Sequence, residues 1–165
     1  MPLVELSVHW IILLDIVAWA VFHMGISFLT LSMPEKWFAS DGWLYRIKKW
    51  EREGRLWQDF FRVKSWKGLI PDGSSVMGAG YNKKELPGRD TTSLIQFITE
   101  SRRAELTHWL SILPAGFFFI WNPLGASYIM VIYALLFNLP IIIAQRYNRG
   151  RLEKLVVYRN KKAAR

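Results

Sequence analysis

The fold class that the sequence predicts is an all-α integral membrane protein, with about three transmembrane helices and amphipathic helices on the cytoplasmic side. Three observations lead there. Of the 165 residues 52% are hydrophobic, with nine Trp, ten Phe and six Tyr, an aromatic excess that suits a belt at the membrane interface. The stretch from Leu3 to Met33 is apolar, contains no Lys or Arg, and is long enough to span a bilayer and too long for the apolar core of a cleaved signal. The net charge of +9 is carried entirely by the residues after Met33, with fourteen Lys and Arg in the centre and eight in the last twenty residues. One membrane domain, 1–165, accommodates this length.

Taken in order, the first span covers about 4–32. Its His9, Asp15 and His23 fall with Trp19 inside an arc of roughly 120° at helical spacing, so this face should pack inward. An interhelical hydrogen bond and a substrate contact both fit that face. After a turn at Pro34, the segment 34–105 is basic and aromatic. Positions 43, 47, 50, 57 and 61 carry Trp, Ile, Trp, Trp and Phe, a helical stripe with a break at Gly54. The stripe suits one or two helices lying in the headgroups, or packed core. From Ile70 to Thr92 Gly, Pro, Ser and Asn predominate, which predicts a loop, either an ordinary connection or a lid. Thr91 or Thr92 is placed to cap the helix beginning near Ser93.

That helix carries Glu100, Arg102, Arg103, Glu105, His108 and Trp109 and passes without a break into a second span at about 107–121. After the turn at Trp121-Asn122-Pro123 a third span runs over about 124–144, and the basic tail occupies 145–165. The excess of Lys and Arg in the centre and tail puts the N-terminus outside and the C-terminus in the cytoplasm. Three polar junctions then meet at the cytoplasmic face: Pro34 to Phe38, Arg102 to Trp109 and Gln145 to Arg151.

Glu105 and His108, three apart on a helix, share a face, and a carboxylate beside an imidazole can hold one tautomer and raise its basicity. Polar groups at the end of a membrane helix more often only anchor it in headgroups, and the pattern leaves both readings open. A carboxylate and imidazole among arginines suit a substrate half lipid and half phosphate, and anchoring by anionic lipids is the plainer use of the same charges. Nucleic acid is a poor partner, because the charge is segregated by topology. With no Cys there is no thiolate nucleophile or zinc-thiolate site, and three His are too few for a histidine-rich di-iron oxygenase, so no metal is expected. Gly78 and Gly80 follow no strand, which excludes a dinucleotide fingerprint.

Arg103 to Pro114 (RAELTHWLSILP) and Asn138 to Arg149 (NLPIIIAQRYNR) resemble the signature stretches of the glycosyl-4,4'-diaponeurosporenoate acyltransferases, small membrane enzymes that complete the carotenoid staphyloxanthin. Pro34-Glu35-Lys36-Trp37-Phe38 and Gly54-Arg55-Leu56-Trp57, continuing to Lys67, resemble the family pattern in the same order, over about Pro34 to Leu152. The first helix and the Gly-rich loop resemble it least, and Gly150 stands where the family is expected to carry Pro.

The resemblance implies transfer of a fatty acyl group from acyl-CoA, a co-substrate and the only cofactor-like molecule expected, to a sugar hydroxyl of a glycosylated C30 carotenoid acid. A sugar hydroxyl needs a base, and the residues at hand assign His108 to that role with Glu105 orienting it. Arg103, Arg146 and Arg149 are assigned to the phosphates of the donor, and Trp109 and Asn148 to positioning the sugar or thioester. A covalent acyl-enzyme would need Ser101, Ser111 or Thr107, and direct transfer is simpler. The other partners expected are membrane lipids, and the active site lies at the cytoplasmic face. Two alternatives accompany this reading: acylation of another glycolipid, and a non-catalytic basic scaffold that binds lipid.

Overall fold

The computed structural model of the protein describes residues 2–70 and 90–164. Within them every regular element is helical. In chain order these are α1 (Val8–Ser32), α2 (Lys36–Ala39), a 3₁₀ turn (Lys49–Glu51), α3 (Arg55–Phe61), α4 (Val63–Trp66), a 3₁₀ turn (Lys67–Leu69), α5 (Thr91–Ile112), a 3₁₀ segment (Leu113–Ile120) and α6 (Leu124–Ala163). The loop and lid expected from Ile70 fall largely on 71–89, outside the described residues.

Two helices, α1 and α6, are long and apolar enough to cross a membrane. Only 6% of the most apolar window of α1 and 22% of that of α6 is buried within the protein. The core helix of a soluble protein is covered by its own chain, whereas the outward faces of these two are Leu, Ile, Val and Phe, which points to association with a membrane. The third expected span, 107–121, is not one helix. Pro114 has no N–H to give to the carbonyl four residues back and its ring crowds that turn, so α5 stops at Ile112 and the chain tightens into the 3₁₀ segment. At its N-terminus α5 is capped by Asp90 rather than by Thr91 or Thr92. The Ser93 amide donates to Asp90 Oδ2 at 3.1 Å and the Ser93 hydroxyl to Oδ1 at 2.5 Å, and a carboxylate suits the positive end of the helix.

The chain forms two compact units, one of 1–32 with 106–140 and the other of 33–105 with 141–165. In the first unit the backbone amides of Leu3 and Val4 donate to the Ile120 carbonyl, and the Ser127 hydroxyl lies within 3.3 Å of the carbonyls of Phe118, Asn122 and Pro123. The irregular turn thus has its polar backbone satisfied internally, as a segment within hydrocarbon requires. The expected inward face of α1 holds in part. Asp15 is buried and accepts from Trp121 Nε1 at 2.7 Å and Asn122 Nδ2 at 2.8 Å, and Trp19 stacks on Phe118 and His23. His9, in the first turn of α1, is exposed.

The second unit departs more from expectation. The helical stripe over 43–61 is broken into pieces, because Arg52, Glu53 and Gly54 all have positive φ, and Arg62 again, which no continuous helix tolerates. Trp43, Trp50 and Phe60 are exposed, while Phe38, Tyr45 and Val63 are buried. Gly54 does mark a break, for a reason the sequence does not carry. A Cβ on Gly54 would lie 2.8 Å from the Tyr147 carbonyl oxygen, and one on Gly150 would lie 2.6 Å from the Glu53 carbonyl carbon. The two glycines let the turn and α6 meet backbone to backbone. A side chain at 150, Pro included, has no room there.

Candidate active site

The close approach at Gly54 and Gly150 fixes where Glu51 meets α6. Glu51 is fully buried and grips Arg146 with both oxygens, Nε to Oε2 at 2.8 Å and Nη2 to Oε1 at 2.5 Å. Such fork geometry gives direction as well as strength. The Lys48 amide and the Trp57 indole also donate to Glu51, each at 2.8 Å. Burial alone would push the Glu51 carboxyl up, but the Arg146 guanidinium, the Lys48 amide and the Trp57 indole outweigh it and hold the group below its ordinary value.

Arg146 is also bound to Glu105 through Nη1 at 2.6 Å, to the Leu44 carbonyl at 3.2 Å and to the Arg46 carbonyl at 3.0 Å. A guanidinium has five N–H groups, and those of Arg146 are all engaged within the protein. Glu105, fully buried, meets Arg149 on its other oxygen at 2.5 Å. Arg149 is itself fully buried and donates to the Tyr45 carbonyl at 2.7 Å. Burial and then the Glu105 charge push the Tyr45 phenol above its ordinary value. Arg102 completes the arrangement, with the Phe38 and Ala39 carbonyls at 3.0 Å, Asp41 at 2.6 Å and Glu153 at 3.2 Å. Arg103 donates to the Met33 carbonyl at 2.9 Å, pairs with Glu100 and lies over the Phe38 ring. Of the junctions Pro34 to Phe38, Arg102 to Trp109 and Gln145 to Arg151, the first, the third and the 102–105 part of the second converge within this unit, and 106–109 belong to the other. They converge as buried ion pairs, so the N–H groups of Arg146, and the Nη2 of Arg149, are spent on carboxylates and backbone.

His108 and Trp109 belong to the other unit. His108 Nδ1 lies 2.8 Å from Asn138 Oδ1, and Asn138 Nδ2 donates to the Ala134 carbonyl at 2.8 Å. The second bond settles the first. A carbonyl oxygen accepts only from the NH2 end of the amide, so the Asn138 oxygen faces His108, and Nδ1 must carry the proton it donates. In the neutral ring the lone pair is then on Nε2. The group at Nδ1 is Asn138, while Glu105, expected from spacing to orient the ring, belongs to the second unit. In the sequence Asn138 appears as the first residue of the stretch Asn138 to Arg149, with no role attached, and a partner 30 positions away gives no local signal. Beside His108 in the chain, the Thr107 and Thr30 hydroxyls are 2.8 Å apart, Ser111 donates to the Thr107 carbonyl at 2.8 Å, and in the second unit Ser101 donates to the Gln145 carbonyl at 3.3 Å. Trp109 is 38% exposed, and Asn148 accepts from Lys67 Nζ at 2.6 Å.

A family profile described as glycosyl-4,4'-diaponeurosporenoate acyltransferase matches residues 34–157. Proteins of that name from Staphylococcus aureus strains USA300, NCTC 8325 / PS 47 and Newman are 36% identical to the chain over 138 residues, covering 84% of it and 83% of their own length. No solved structure matches. The profile covers the charged junctions, Asn138, and the glycine contact that sets Glu51 against α6. The chain is an acyltransferase and belongs to the glycosyl-4,4'-diaponeurosporenoate acyltransferase family.

Proposed function

We propose that this acyltransferase moves a fatty acyl group from acyl-CoA to a sugar hydroxyl of a glycosylated C30 carotenoid acid, with His108 as general base. The observation that carries this reading is the Ala134–Asn138–His108 chain of hydrogen bonds, which leaves Nε2 as the basic nitrogen. In the transfer, Nε2 takes the hydroxyl proton while the oxygen attacks the thioester carbonyl. The carbon–sulfur bond breaks, and the imidazolium returns the proton to the departing thiolate, so the residue ends as it began. Direct transfer is favoured over an acyl-enzyme, because Ser101 and Ser111 are buried and already donate to backbone carbonyls.

Glu105, Arg103, Arg146 and Arg149 act at one remove in this reading, holding α5 to its neighbours. A donor phosphate reaches Arg146 only by displacing a carboxylate. Half-exposed Trp109 is assigned to the sugar or the thioester, and α1 and the apolar half of α6 to the acyl and polyene chains. The proposal sets both helices across the membrane with the N-terminus outside, the C-terminus and active site at the cytoplasmic face, and lipid around them.

The test is pigment mass spectrometry in cells that accumulate the glycosylated acid, expressing either the unaltered chain or His108→Ala. A new acyl ester from the unaltered chain, reduced about 10²- to 10⁴-fold in the variant at equal membrane levels, is the expected outcome. Ester formation near the unaltered level by His108→Ala removes the base assignment. No ester from either moves the acceptor to another glycolipid.

A further inference from the structure

We propose that Lys67 and Arg151, gathered around Tyr147 and Asn148 with Lys64 three positions before Lys67 in the chain, bind a phosphate group. Lys67 Nζ lies 5.0 Å from the centre of the Tyr147 ring and donates to Asn148 at 2.6 Å. Arg151 lies 5.4 Å from the centre of the same ring and donates to the Tyr147 hydroxyl at 2.6 Å. Tyr147 is buried, so its ring and hydroxyl hold both cations on a fixed base. Lys64 and Arg151 are exposed and Lys67 half-buried, which leaves the cluster open to a ligand.

Lys67 and Arg151 share one buried ring and, among the described residues, lack a carboxylate partner. In the same unit Arg102, Arg103, Arg146, Arg149 and Lys154 each meet a carboxylate. Among the described residues no acid pairs with Lys64, Lys67 or Arg151. Glu51, Glu53 and Glu153 are engaged elsewhere, the first with Arg146, the second with Lys154 and the third with Arg102. Burial first, and then the charges of Arg151 and Lys64, lower the Lys67 pKa. Like charges kept close without a counter-ion cost stability unless an anion joins them. A phosphate oxygen set accepts from an ammonium and a guanidinium together.

Two sources supply that chemistry, the phosphates of an acyl-CoA and the headgroup of an anionic lipid. The first rests on the reading above and moves the donor's phosphates from the buried arginines to this open cluster. The full chain, purified in phosphatidylcholine nanodiscs, is titrated with adenosine 3',5'-bisphosphate, the phosphate-bearing end of the donor, by calorimetry. Retention of phosphatidylglycerol is read in parallel by native mass spectrometry. Binding of one of the two should fall about tenfold or more in Lys67→Met and in Arg151→Met. Lys67→Arg should restore it, and Lys154→Met should leave it unchanged. Loss of the bisphosphate alone assigns the site to the donor, and loss of the lipid alone assigns it to the headgroup. Equal binding of both ligands by the unaltered chain and both Met variants, or binding of neither by the unaltered chain, overturns the proposal. Neither readout requires catalysis, so a failure of His108 as base is seen separately.

Discussion

Asp15 in the first unit and Glu105 in the second are both buried carboxylates, and the protein treats them in opposite ways. Asp15 accepts from an indole and a side-chain amide. Glu105 sits between two guanidiniums, with Arg146 further clamped by Glu51. The first unit carries the apolar outer faces of α1 and the first half of α6. There a full charge is costly to bring in, and neutral donors satisfy the carboxylate with fewer desolvated ions. The second unit is rich in Lys and Arg, and beside its apolar cluster it buries ion pairs whose members each lean on another. Such pairs add little net stability over an apolar core of the same shape, but losing one partner strands the rest. The first unit should therefore tolerate single polar losses and the second should not.

The largest expected effect therefore falls on the second unit. Glu105→Ala leaves Arg146 without one carboxylate and Arg149 without its nearest, at about 3–5 kcal/mol, read as a drop in thermal melting of the detergent-purified chain. An unchanged melting temperature would mean that the Glu105 ion pairs do not hold the second unit together. In the first unit Asp15→Ala leaves the Trp121 and Asn122 donors unmatched, and about 1–3 kcal/mol is expected. A loss equal to that of Glu105→Ala would mean that the two units respond alike. Smaller again, and in rate rather than stability, Asn138→Leu removes the acceptor at His108 Nδ1. Turnover should fall on the order of 10-fold with melting little altered, and the pH-dependence of the rate should move with the tautomer. Activity unaffected at every pH would show that Asn138 does not set the ring.

The last test is the acid limb of stability. Glu51 has a folded pKa below its unfolded value, so its stabilisation is complete above the ordinary carboxyl range and is lost as pH falls through the folded value. Melting followed from neutral to acid pH should fall less steeply for Glu51→Gln than for the unaltered chain. Parallel curves would mean that Glu51 is not the group that titrates.

Much of the fold lies in local sequence. Absence of Lys and Arg over the first 33 residues, apolar length, and the turn at Asn122-Pro123 yield α1 and the start of α6 closely, but α6 continues past the expected end at 144 through the basic tail to Ala163. Where local pattern misled, a tertiary or backbone term overrode it. The aromatic stripe over 43–61 keeps helical spacing but is interrupted by residues at positive φ, held there by contact with α6. The run 107–121 is apolar throughout most of its length, yet Pro114 divides it. Of the candidate site, His108, Glu105 and the arginines were visible as residue types at a polar junction.

By itself the sequence determined which stretches are apolar enough for a membrane, where charge accumulates and which imidazole stands at the junction, because each of these depends on residues near one another in the chain. Tertiary structure decided what the charged groups do. Glu51 meets Arg146 across 95 positions and His108 meets Asn138 across 30, and only the folded chain brings such partners within hydrogen-bond reach. It set Arg146 and Arg149 in internal ion pairs, put Asn138 against the imidazole, and left Lys67 and Arg151 without an acid among the described residues. The physical reason is that hydrogen bonds and charges act over a few ångströms of space, and separation along the chain says little about that distance.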